Sequence, residues 1–83
     1  MEFKKEENRI YAEDENNQTV AEVTFYEISK GKYNIDHTFV DDSLRGQGIG
    51  SKLVQEAVNT ITEKGAEIEA TCPFARKWLS EHK

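Results

Sequence analysis

Apolar residues recur at two spacings along the chain: every second position in the first half, every third or fourth in the second. Between Thr19 and Ile28, Ala21, Val23 and Phe25 alternate with Glu22, Thr24 and Tyr26, which predicts a strand with one buried face. Tyr33 to Val40 repeats the pattern, with Tyr33, Ile35, His37 and Phe39 expected on one face. Arg9 to Glu13 alternates over a shorter run, and the mixed segment before it, Phe3 to Lys5, is read as part of this strand or as a separate one. Asp14-Glu15-Asn16-Asn17 and Ser29-Lys30-Gly31-Lys32 carry turn residues, so the first half is expected to form an antiparallel meander of three to four strands.

From Gly48 to Lys64 the period changes. Ile49, Leu53, Ala57 and Ile61 fall on one helical face, and Val54 and Val58 widen it into the stripe of a buried helix. Gly65 marks its end. Ala66 to Thr71 predicts a short strand, which returns after a helix of about 17 residues and so lies parallel to the Tyr33–Val40 strand. Pro73 suits the first turn of a C-terminal helix, with Phe74, Trp78 and Leu79 as its apolar edge. The fold class is α+β, expected as one domain over residues 1–83.

Composition narrows the function. A third of the residues are charged and 36% are hydrophobic, as in a globular domain rather than a disordered chain. No apolar run approaches the roughly 20 residues of a membrane span, and Met1 to Glu7 does not read as a signal peptide. Cys72 is the single cysteine, which excludes an internal disulfide, and no Cys/His cluster suggests a metal. A cytoplasmic location is expected. The net charge of −5 is uneven: residues 1–42 hold five lysines and arginines against eleven acids, residues 43–83 six against five. Nucleic acid needs a basic face and is not expected as a partner. A small anion remains compatible with the second half.

One stretch carries chemistry. Val40 to Leu53 leaves a strand, places Gly46, Gly48 and Gly50 within five positions, and enters the best helix of the chain. Small residues let backbone close on a ligand, and the first N–H groups of a helix have no partner inside it, so this is a setting for an anion. The dinucleotide fingerprint G-x-G-x-x-G and the P-loop are both absent. What stands here is R-x-x-G-x-G, formed by Arg45, Gly48 and Gly50, in which Arg45 adds a forked cationic donor. A tight connection without a ligand is the alternative.

Val40 to Leu53 resembles the acetyl-coenzyme A motif of the GNAT superfamily of N-acetyltransferases, and the resemblance extends from about Tyr33 to Leu79. It implies a small GNAT-like core with a central amphipathic helix, a parallel strand and a C-terminal helix, and acetyl-CoA as cosubstrate. It further implies that Arg45, Gly46, Gln47, Gly48, Ile49 and Gly50 bind the pyrophosphate while Phe39 and Val40 line the pantetheine arm. The chain departs from the family in length, leaving no room for the helices that shape the acceptor site. It also departs after the last strand. Where the family pattern is N-x-x-A-x-x-L-Y, Cys72 stands in the place of Asn and Leu79 in that of Tyr, the usual general acid. A Cys-Pro at this point is similar to a minimal GNAT-like subfamily.

Two residues are thereby candidate catalytic groups. Cys72 is expected between a strand end and a helix N-terminus, a position that favours thiolate; it would accept acetyl, give a proton to the departing coenzyme thiolate, or simply fill the core. His37 is a candidate base or a surface residue. Arg76 and Lys77 either meet the coenzyme's 3′-phosphate or complete a solvated face, and Trp78 is expected in the core. The expected function is acetyl transfer to an unidentified small amine or protein acceptor, by a monomer or weak dimer. The alternatives are a non-catalytic acetyl-CoA binder or partner subunit, and an interaction domain without a ligand.

Overall fold

The computed structural model describes residues 2–82. Five strands form one sheet: β1 (Lys4–Glu6), β2 (Arg9–Glu13), β3 (Thr19–Ser29), β4 (Lys32–Val40) and β5 (Glu67–Ala70). Helix α1 spans Ile49–Glu63 and helix α2 spans Pro73–Glu81. Strand order in the sheet is the order of the chain, antiparallel from β1 to β4 and parallel between β4 and β5.

Local chemistry sets each reversal. Lys30 and Gly31 join β3 to β4, and Gly31 takes φ 79°, a left-handed conformation that costs glycine little. Between β2 and β3 the carboxylate of Asp14 accepts from the N–H groups of Asn16 and Gln18 at 2.8 and 3.0 Å. The segment before β2 is a separate strand with a polar sequence, so β1 is held to the sheet by backbone pairing rather than by apolar burial.

Helix α1 packs on the sheet face that carries Ile10, Ala12, Ala21, Val23, Phe25 and Ile35, burying Ile49, Leu53, Val54, Ala57 and Ile61. Each large aliphatic residue buried there contributes about 1.5–3 kcal/mol. The helix ends where Gly65 N–H donates to Thr62 C=O at 2.9 Å and Ala66 N–H to Ile61 C=O at 3.3 Å, the paired bonds of a Schellman motif. Helix α2 lies beside α1 at the β4–β5 end of the sheet. Ala75 and Trp78 are buried there, and the Trp78 indole N–H donates to Ser51 Oγ at 2.8 Å.

One expected register is corrected. Phe25 pairs with Ile35 and Thr24 with His37, so Asp36 is an extra residue in β4. The bulge reverses the alternation beyond it. Ile35 is buried, and the half-buried Thr38 and Val40 share its face by pairing with Val23 and Ala21. His37 and Phe39 pair with Thr24 and Glu22 on the far face, where both are exposed. They do not share a face with Tyr33 and Ile35.

Candidate functional site

Strand β4 loses its outer partner half-way along. Its pairing with β5 runs from Lys32–Glu67 to Ile35–Ala70, after which the N–H groups of both Thr71 and Cys72 donate to Ile35 C=O at 3.1 and 3.3 Å. From there the chain turns into α2, and β4 continues from Asp36 to Val40 without a strand on that side. A cleft opens at this place.

At the end of β4, Asp41 caps a short 3₁₀ turn over Asp42–Leu44. Its carboxylate accepts from the hydroxyl of Ser43 at 2.6 Å and from the Ser43 N–H at 3.0 Å, and these bonds hold its pKa below the ordinary value of 3.8. Gly46 and Gly48 then take φ 83° and 71°. Gly48 is the N-cap of α1 and supplies no side chain to the first turn. Lys52 N–H returns to Gly48 C=O, but the N–H groups from Gly46 to Ser51 donate to no acceptor among the described residues. Six adjacent residues thus carry backbone N–H groups without a protein acceptor at the positive end of a 15-residue helix.

This turn borders the cleft, of about 260 Å³, which Val40, Leu44 and Phe74 also line. Gly50 has a packing reason to be glycine: a Cβ there would come within 2.9 Å of Phe74 Cζ. The Arg45 guanidinium is exposed and pairs with Asp42 at 2.9 Å, an ion pair of small strength that leaves Arg45 able to turn to a ligand.

Of the residues singled out in the sequence, Val40, Arg45, Gly46, Gly48, Ile49 and Gly50 come together at this cleft. Gln47 is exposed in the same turn. Phe39 and His37 lie on the far face of β4, away from them. Cys72 is the N-cap of α2, 7% exposed, with Sγ 3.6 Å from Thr38 Oγ1 on the α1 side of the sheet. Phe74, Leu44 and Ser51 join the site without having been singled out for it. Leu44 and Ser51 flank the glycine turn in sequence, whereas only the register of α2 against α1 shows the place of Phe74, and no local pattern encodes that register.

A sequence profile described as GCN5-related N-acetyl-transferase matches residues 9–83. The chain belongs to the GCN5-related N-acetyltransferase family. Among GCN5-related relatives with solved structures, a GCN5-like protein from Staphylococcus aureus is 41% identical and superposes with a TM-score of 0.79, covering 98% of this chain and 79% of that one. The GNAT protein YhbS of Escherichia coli, solved in complex with CoA, is 25% identical with a TM-score of 0.61, over 70% of this chain and 35% of its own. Protein NATD1 of Xenopus tropicalis and of Homo sapiens is 31% identical over 61 residues, 72% of this chain. The chain spans little more than half the length of these NATD1 relatives, 56% and 54%. The five-stranded mixed sheet with two helices is the GNAT fold, and acetyl-CoA is the cosubstrate typical of the family.

Proposed function

We propose that this chain binds acetyl-CoA at the turn from Arg45 to Gly50 and transfers the acetyl group to an amine. The observation that carries the reading is the run of unpaired N–H donors from Gly46 to Ser51 at the edge of a cleft beside the free edge of β4. The site fits a pyrophosphate: two left-handed glycines expose the backbone, a helix N-terminus faces it, and Arg45 supplies a cation. In this reading Gly46, Gln47, Gly48, Ile49 and Gly50 hold the pyrophosphate, and Val40 and Phe74 flank the arm as it runs toward Thr38 and Cys72. The coenzyme supplies an activated acetyl thioester there.

Cys72 is the thiol nearest that path, and its proposed work is to protonate the departing thiolate or to accept the acetyl group itself. Leu79 stands where the family has its acid, so no tyrosine hydroxyl competes for the task. His37 acts as base only for an amine that arrives from the far face of β4.

A titration of isotope-labelled protein with acetyl-CoA tests the binding step. Shifts concentrated at Gly46, Gly48 and Gly50 are expected, and their absence at excess ligand refutes it. Intact-protein mass after incubation then separates the roles of Cys72: a gain of one acetyl group, lost in Cys72→Ala, makes it an acceptor.

The burial of Cys72 and its contact with Thr38 favour a second reading, a non-catalytic acetyl-CoA binder in which the thiol is packing. That reading predicts coenzyme binding unchanged in Cys72→Ala and no amine that raises thioester loss above background.

A further inference from the structure

Three hollows surround the first turn of α1, and Ser51 borders all of them. The first is the cleft at the glycine turn. The second, of about 180 Å³, lies between α1 and α2 and shares both Ser51 and Phe74 with the cleft; Lys77 lines it. The third is lined by Lys52 together with Ser51, Trp78 and His82. The cleft therefore adjoins the hollow of Lys77 at Ser51 and the exposed ring of Phe74, and that of Lys52 at Ser51 alone. Neither Lys77 nor Lys52 has a carboxylate within 4.0 Å among the described residues. Glu81 borders the second hollow without pairing to Lys77, and Glu56, beside Lys52, is bound to Lys5 at 3.1 Å. Arg76, next in sequence to Lys77, goes elsewhere: it lines a separate groove with Glu69 and Thr71 by the edge of β5.

We infer that the hollow lined by Lys77 takes the 3′-phosphate of coenzyme A, with Lys52 as a second cation and no part for Arg76. The inference rests on the proposed binding of the coenzyme at the glycine turn. In coenzyme A the 5′-pyrophosphate and the 3′-phosphate hang on the same ribose, so their two sites must lie within the span of one sugar. Hollows that share Ser51 and Phe74 meet that condition; the groove of Arg76 shares no lining residue with the cleft. A phosphomonoester dianion also needs a cation that is not already neutralised, and Lys77 is such a cation. The subsite gives a chain of net charge −5 two unpaired cations, Lys52 and Lys77, in hollows that share Ser51 with the cleft at the turn.

The test is calorimetric titration of the full chain with coenzyme A and with 3′-dephospho-coenzyme A. A charge-assisted contact predicts that the wild type prefers coenzyme A by about tenfold or more. Lys77→Gln is expected to bring the two affinities within about threefold of each other, chiefly by weakening coenzyme A, while Arg76→Gln keeps the preference. Equal binding of the two ligands by the wild type overturns the subsite and leaves the coenzyme reading standing. Collapse of the preference in Arg76→Gln, or equal weakening of both ligands in Lys77→Gln, overturns the assignment to Lys77. Failure of both ligands to bind removes the coenzyme reading and the subsite together.

Discussion

The indole N–H of Trp78 donates to the hydroxyl of Ser51 at 2.8 Å, and this bond joins the C-terminal helix to the first turn of the helix that opens at the glycine loop. The ring is fixed from its other side as well, since His82 stacks on it with centroids 4.0 Å apart. Trp78→Phe keeps an aromatic ring and deletes the donor. It is expected to cost about 1 kcal/mol, seen as a fall in melting temperature of about 4–8 °C for a domain of this size. Ser51→Ala should match it, and the double variant should lose no more than either alone. Additive losses would mean that the hydrogen bond is not their common cause.

Gly50 and Phe74 form a second matched pair. In Gly50→Ala the new Cβ meets the tip of a half-exposed ring, which can swing aside, and alanine also improves the helix by up to about 1 kcal/mol. Stability is therefore expected to stay nearly level while the cleft wall moves. Acetyl-CoA affinity should fall in Gly50→Ala and recover in part in Gly50→Ala/Phe74→Ala compared with the sum of the single effects. A double-mutant cycle with no coupling in binding would refute the pairing.

At Gly48 the constraint is conformational. No heavy atom lies within 4 Å of the position a Cβ would take, yet φ is 71°. Gly48→Ala should lose about 1–2 kcal/mol through left-handed strain alone, measurable as a lower urea midpoint at unchanged slope. If the backbone relaxes instead to negative φ, stability will hold but the free N–H groups will be misdirected, and coenzyme binding will fall.

Asp41 makes the turn sensitive to acid. Bonds from the hydroxyl and the N–H of Ser43 depress its folded-state pKa below 3.8. A depressed carboxyl stabilises the folded state above its unfolded-state pKa, and that contribution disappears as pH falls through the folded value. The advantage of wild type over Asp41→Ala should thus be complete near neutral pH and fade as acid takes the carboxyl through its depressed folded-state pKa. Following the Ser43 amide by NMR across that range would check it. A constant difference between the two proteins at all pH values would assign the effect to packing.

Much of this architecture was legible in residue spacing. The apolar stripe from Ile49 to Ile61 and the stop at Gly65 place α1 within a residue of each observed end, because helix burial and Schellman chemistry both act locally. The β3 pattern is equally plain. Strand β4 misleads because Tyr33, Ile35, His37 and Phe39 keep a regular alternation by composition, while the bulge at Asp36 reverses which side is buried. Asn34 belongs to the same difficulty. It is 2% exposed and donates to Thr71 Oγ1 at 3.0 Å, a contact between residues 37 positions apart that no local pattern announces. The glycine turn could be read because its chemistry is local. The walls of the cleft could not, because Phe74 reaches it through the packing of α2 on α1.

The strand order bears on how the chain reaches this state. From β1 to β4 each strand pairs with its immediate successor, so these contacts close loops of a few residues and form early at little entropic cost. Only β5 must wait, since its pairing with β4 needs the glycine turn and the whole of α1 to be laid across the sheet first. The cleft is then the last part of the molecule to close, and the parallel pairing that must follow α1 rests on only four residue pairs, from Lys32–Glu67 to Ile35–Ala70. Hydrogen exchange should find β5 and α2 opening before β2, β3, β4 and α1, which carry the buried core and are protected to a higher free energy.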